Sequence, residues 1–301
     1  MLLRKRTAKT EAPSDAGGTL ALALVEFSAD WEQTLHNLSR LDLLIEHLYR
    51  DLPEKYPSFY PDVLVLPEFF STGFTMNPDC AEFPDASPTL SWMTRTAGLY
   101  DCAVAGSIPV HLPDGERANR FYFVGQDGII AQYDKRHLFL GGEDGNYTPG
   151  SQRVVFEYKG WRIMPGICFD LRFPVWMRNN PAEPYDLYLN VANWPSARKK
   201  VAEVLAEARA IENVCHVAFC NRSGKDLLLE YGGGSVVLNH RGRQKSADLD
   251  IDGTLVACAS LDKAEMLRYR TSFPMLQSAD EFLLQEPRPG AFLGGLRRRH
   301  E

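Results

Sequence analysis

The runs LALALVEF (20–27), DVLVLPEFF (62–70), CAVAGSIPV (102–110) and YDLYLNVANWP (185–195) are apolar almost throughout. A strand with one wet face alternates apolar and polar residues, whereas a strand covered on both faces reads as a continuous apolar run. These stretches therefore demand a sheet with material packed on both sides. Two helical stripes fit that requirement. Trp31, Leu35, Leu38, Leu41, Ile45 and Leu48 recur every three or four residues, and so do Val201, Val204, Leu205, Ala208 and Ile211. NRFYFVGQDGIIAQYDKRH (119–137) reads as a hairpin turning at Gln126-Asp127-Gly128, and VVFEYKGWRIMPGICF (154–169) as a second one turning at Lys159-Gly160. HVAFCNRSG, GSVVLNHRG and TLVACASLD then close the sheet region. Hairpins mixed with strand–helix units predict one α+β domain over residues 19–272, with layered sheets and helices outside. Residues 1–18 are polar, carry a proline and paired glycines, and are expected to be disordered; residues 273–301 are expected to form a C-terminal arm or tail.

Charge and cysteine content narrow the functional classes. The formal net charge of −6 gives no electrostatic basis for binding nucleic acid, which calls for a basic excess. Basic clusters occur only as RKR at 4–6 and RRR at 297–299, and read as solvated tails. The six cysteines form no CxxC pair and no metal-ligand spacing with histidine, so no metal site is expected. They are also too sparse for a disulfide framework, which fits a reducing, cytoplasmic setting. TLALALVEF (19–27) contains Glu26 and is far too short to cross a bilayer, so no membrane association is expected.

Cys168, within PGICFDLRFP (165–174), is the residue on which a reaction could turn. Pro165-Gly166 is expected to end the strand before it and leave the thiol exposed on a tight turn, much as nucleophile elbows do. A thiol nucleophile also needs a base and a cation or donor for the oxyanion. Two other apolar runs end in suitable residues: VLVLPEFF delivers Glu68 just after a proline, and IIAQYDKRHLF delivers Lys135 at the end of a hairpin strand. If these strands are neighbours, a carboxylate, an ammonium and a thiol converge at one sheet edge. Lys135 is then expected to favour the thiolate, with Glu68 accepting its proton.

The blocks LPEFF, YDKRHLF and GICFDLRFPVW, in that order and with their reactive side chains 67 and 33 positions apart, resemble the nitrilase (carbon–nitrogen hydrolase) superfamily. The resemblance spans about residues 19–272, and VANWPSAR and ARAIEN bring it closest to the ω-amidase branch. It implies a four-layer α-β-β-α sandwich, usually paired as a homodimer. It also implies Glu68 as general base, Lys135 as cationic stabiliser, Cys168 as nucleophile and Glu143, in GGEDGNY, as a second glutamate beside the lysine. The backbone N–H of Phe169 becomes an oxyanion donor, and Arg172 and Trp194 flank the pocket, with Arg172 the candidate for a substrate carboxylate. The implied reaction releases ammonia from the ω-amide of a small 2-oxo dicarboxylate, such as 2-oxoglutaramate or 2-oxosuccinamate, through a cysteinyl thioester. Besides the second copy, the implied partners are a small amide and water, and no metal or organic cofactor enters. A nitrilase, N-carbamoyl amidohydrolase or N-acyltransferase activity, or a non-catalytic scaffold, remains the alternative.

The chain also departs from its relatives. Ala202 stands where they carry tryptophan, YGGGS (231–235) lacks a charged residue before the serine, and LGGEDGNYTPG (140–150) is one residue shorter than in some members. His137, Trp161, Trp176, Cys102, Cys215, Cys220 and Cys258 read as packing residues.

Overall fold

A computed structural model describes residues 18–284; the expectations for residues 1–17 and 285–301, both basic clusters included, lie outside this range. The elements in chain order are β1 (Thr19–Val25), α1 (Thr34–Lys55), β2 (Val63–Val65), α2 (Pro88–Tyr100), β3 (Ala103–His111), β4 (Arg117–Gly125), β5 (Gly128–Asp134), β6 (Phe156–Tyr158) and β7 (Trp161–Ile167). They continue with β8 (Leu187–Ala192), α3 (Lys199–Asn213), β9 (His216–Asn221), β10 (Ser223–Lys225), β11 (Glu230–Gly232), β12 (Val236–Leu238), β13 (Ala247–Ile251), β14 (Thr254–Asp262) and α4 (Lys263–Ser272).

The strands form a seven-stranded sheet in the order β13-β14-β1-β2-β3-β4-β5, a five-stranded sheet in the order β12-β9-β8-β7-β6, and the small hairpin β10-β11. β1, β2 and β3 run parallel, as do β7, β8 and β9. The period-two geometry of β1 shows why both faces must be apolar. Leu20, Leu22 and Leu24 point into the layer between the sheets, while Ala23 and Val25 point to the layer under α1 and α2. The five-stranded sheet meets the first layer and is covered outside by α3. The result is the four-layer α-β-β-α sandwich implied by the sequence. Among the described residues, no helix is long and apolar enough to cross a membrane.

Three local expectations need correction. The helix α1 buries Leu38, Leu41, Ile45 and Leu48, but Leu35 is exposed and Trp31 lies in the turn before it. α3 faces the sheet with Ala202, Ala206, Arg209, Ala210 and Asn213, whereas Val201, Val204 and Ile211 are exposed. Small residues let that helix approach the sheet closely, so the bulkier stripe is turned outward. Finally, β7 runs through Pro165 and Gly166 to Ile167. β6 flanks β7 only as far as Ile163, so beyond it the missing N–H of Pro165 removes no ladder bond on that side. A Cβ on Gly166 would lie 2.1 Å from Tyr188 Oη, so the glycine serves close packing rather than strand termination.

Candidate active site

The site assembles from two half-sites, one on each sheet. On the larger sheet, β2 stops at Val65 and the chain turns through Pro67, with Phe69 in a left-handed conformation (φ 48°) and its N–H bonded to Ser107 Oγ at 3.1 Å. That turn drives the Glu68 carboxylate inward. Lys135 follows the last residue of β5, its N–H donating to the Asn119 carbonyl at 2.9 Å. Glu143 opens a single 3-10 turn in the 140–150 loop. All three side chains are fully buried. Lys135 Nζ donates to Glu68 Oε1 at 2.7 Å and to Glu143 Oε2 at 2.6 Å. Asn119 Nδ2 lies 2.8 Å from both Glu68 Oε1 and Glu143 Oε1, and the Phe139 N–H donates to Glu143 Oε2 at 2.9 Å.

On the smaller sheet, β7 delivers Cys168. Its backbone is left-handed (φ 44°), and residues Cys168–Arg172 coil into a 3-10 turn. This is the expected elbow, reached one residue beyond a strand that continues through Pro165-Gly166. Asp170, fully buried, holds the elbow in place. Its carboxylate accepts from the Ile167 N–H (3.0 Å), the His137 N–H (2.9 Å), His137 Nδ1 (2.8 Å) and Tyr133 Oη (2.9 Å). His137 thus serves the scaffold and stacks on Phe173, its ring centre 3.8 Å away. Arg209 of α3 adds two bonds to the Leu171 carbonyl. At the end of β8, the Asn193 N–H donates to Glu68 Oε2 at 2.9 Å, joining the two half-sites.

Electrostatics set the resting state. Burial opposes the charge on Lys135, but the carboxylates of Glu143 and Glu68 reverse that and hold its pKa above the ordinary ammonium range. Burial raises the pKa of Glu143; Lys135 opposes the rise and Glu68 reinforces it. Burial, reinforced by the Glu68 carboxylate, pushes the Cys168 thiol well above its usual range, and Lys135 only partly offsets them. Lys135 does act in favour of the thiolate, as expected, but burial and the two carboxylates outweigh it.

Lys135 and Cys168 open onto a cavity of about 240 Å³. Phe169, Arg172 and Trp194, singled out from the sequence, line the same cavity, together with Asn193, Arg198 and Tyr231. Sequence reasoning missed Asn119, which looks like an ordinary outward residue of an alternating strand, as well as Asn193 and Arg198, both inside the quoted VANWPSAR block. Cys102, Cys215, Cys220 and Cys258 are buried, as are Trp161 and Trp176, while Cys80 is partly exposed. Of the departures from relatives, Ala202 packs in the core under α3 and Tyr231 of YGGGS reaches the cavity wall.

A family model for carbon–nitrogen hydrolases matches residues 22–270. The chain belongs to the carbon–nitrogen hydrolase family. It is 42% identical over 269 residues to the ω-amidase YafV of Yersinia enterocolitica, covering 88% of this chain and 99% of the relative. It is 31% identical to the 2-oxoglutaramate amidase of Bacillus subtilis, covering 84% and 95%. A crystal structure of a CN-hydrolase superfamily protein from Xanthomonas campestris, with an arsenic adduct in its active site, superposes with a TM-score of 0.80 at 35% identity, covering 89% of this chain and all of that one. The carbon–nitrogen hydrolase fold therefore frames the buried Glu68–Lys135–Glu143 cluster and the Cys168 elbow.

Proposed function

We propose that this chain is an ω-amidase that releases ammonia from a small 2-oxo dicarboxylate ω-amide through a thioester on Cys168. The observation that carries the reading is the junction of the half-sites: Lys135 and Cys168 line one cavity, and Glu68 bonds both Lys135 and the Asn193 peptide beside the thiol. The ω-amidase and 2-oxoglutaramate amidase relatives support the substrate class.

Burial and the neighbouring carboxylates hold the thiol's pKa up, so in this reading Glu68 removes the Sγ proton as sulfur adds to the amide carbon. An ammonium has three N–H donors; Lys135 directs two to Glu68 and Glu143, leaving the third for the developing oxyanion. The Phe169 N–H lies in the first turn of the 3-10 segment, where backbone donors lack intrahelical partners, and supplies the second donor. Each such donor is worth about 3–4 kcal/mol in the transition state. Glu68 returns the proton to the leaving nitrogen, ammonia departs, and the acyl group remains on sulfur. Glu68 then takes a proton from water as its oxygen attacks the thioester, and the carboxylic acid leaves as the thiol regains its proton. Glu143 and Asn119 hold Lys135 and Glu68 in register, and Arg172 faces the substrate carboxylate.

The same reading places the catalytic domain at 19–272, the enzyme in the cytoplasm and the chain in a homodimer. The exposed Val201, Val204 and Ile211 of α3 support the pairing, and a monomer mass in sedimentation equilibrium would remove it. Wild-type protein is expected to release ammonia from 2-oxoglutaramate and Cys168→Ala protein to release none. Equal rates from the two, or faster turnover of a nitrile or N-carbamoyl substrate, would overturn the assignment.

A further inference from the structure

The cavity wall carries cations on two separate elements. Arg172, in the 3-10 turn after Cys168, lies over the rings of Phe169 (5.9 Å) and Trp194 (5.0 Å). Arg198, the residue before α3, lies over Phe139 at 5.5 Å. Phe139 and Phe169 meet edge to face with centres 5.6 Å apart, so the two guanidiniums sit along one continuous aromatic wall. Neither guanidinium has a carboxylate partner among the described residues, although both are half-buried. The third cation on the wall, Lys135, is already matched by Glu68 and Glu143. The cavity is therefore electrically graded: its reacting end is compensated and its arginine wall is not. The start of α3 abuts Arg198 without a side-chain cap, adding the positive end of a helix dipole to that wall. The Trp194 indole donates to the Arg198 carbonyl at 2.8 Å, which fixes the backbone from which the guanidinium projects.

We infer that Arg198 is a specificity-determining residue that acts with Arg172 as a two-guanidinium clamp on a 2-oxo-carboxylate, orienting the anionic end of the substrate to the arginine wall and the uncharged carboxamide to Cys168. The inference rests on the ω-amidase reading for the reaction and adds how the two ends of the substrate are told apart. A planar guanidinium pairs with a carboxylate through two parallel N–H···O bonds, and the adjacent keto oxygen leaves an acceptor for the second. A substrate entering in reverse would place its carboxylate beside Glu68 and Glu143, where like charge excludes it.

The test compares wild type, Arg198→Gln and Arg198→Lys. A charge-assisted bond of this kind is worth about 10- to 100-fold. Arg198→Gln is expected to lower kcat/KM for 2-oxoglutaramate by about that factor, mainly through KM. Arg198→Lys should recover part of the loss, and butyramide, which carries no carboxylate, should change by less than about threefold. Equal losses on both amides, or no loss on either, would overturn the clamp. Calorimetric binding of 2-oxoglutarate to the Cys168→Ala protein gives a second readout that needs no turnover. Arg198→Gln in that background is expected to weaken binding at least tenfold, and undiminished or absent binding in the Cys168→Ala parent overturns the inference. A wild type that binds 2-oxoglutarate yet leaves 2-oxoglutaramate intact would instead count against the ω-amidase reading alone.

Discussion

At Asn119 a single carboxamide nitrogen bridges the two buried carboxylates that flank Lys135. Without it, both lose a donor and repel each other more freely across the ammonium. Hydrogen bonds to charged groups contribute about 1.5–3 kcal/mol each. Asn119→Ala is therefore expected to lower kcat by about 10- to 100-fold while leaving KM within a few-fold, measured as steady-state ammonia release. This residue also marks a limit of sequence reading. Glu68, Lys135 and Cys168 stand out because each ionisable or nucleophilic group ends an apolar run. Asn119 occupies a strand position where a polar residue is ordinary, and only the tertiary fold turns it inward.

Strand ends do most of the positioning, and the end of β5 is tightly packed. Gly150 returns alongside it, its N–H donating to the Lys135 carbonyl at 2.9 Å. A Cβ there would fall 2.2 Å from the Asp134 carbonyl oxygen. Gly150→Ala should therefore push the Lys135 backbone aside, lowering stability by about 1–3 kcal/mol and slowing ammonia release more than that loss implies. A thermal melt run beside the activity assay checks both. At this scale the strands and hairpins were legible, because continuous apolar runs and Asp-Gly or Lys-Gly turns have direct physical causes. The inward face of α3 was not. Its Val and Ile stripe looks like core, yet alanines allow the closer approach, and that choice depends on the partner surface rather than on the helix itself.

The molecule as a whole carries an acid sensitivity built into its second sheet. Burial lowers the pKa of His216, on β9, from 6.5 to about 4, with neighbouring His240 and Arg270 adding to the effect. Between those values the unfolded chain binds a proton that the folded one refuses, so stability falls as pH drops from about 6.5 towards 4. The loss approaches roughly 3 kcal/mol by the lower end. Urea titrations across that window should show a shallower decline in His216→Phe than in the wild type.

The two-sheet origin of the site has a mechanical consequence. Base and ammonium ride on one slab, the nucleophile on the other, and the Asn193–Glu68 bond spans the seam. Cys220 lies within that seam, its Sγ 3.4 Å from the Val65 carbonyl and 3.6 Å from that of Val25. Residues there act as shims: their thickness sets the gap between jaws that must close on one carbonyl carbon. Cys220→Leu, at a position that does not line the cavity, is accordingly expected to widen the jaws and slow kcat while the protein still folds, which ammonia release together with circular dichroism would reveal.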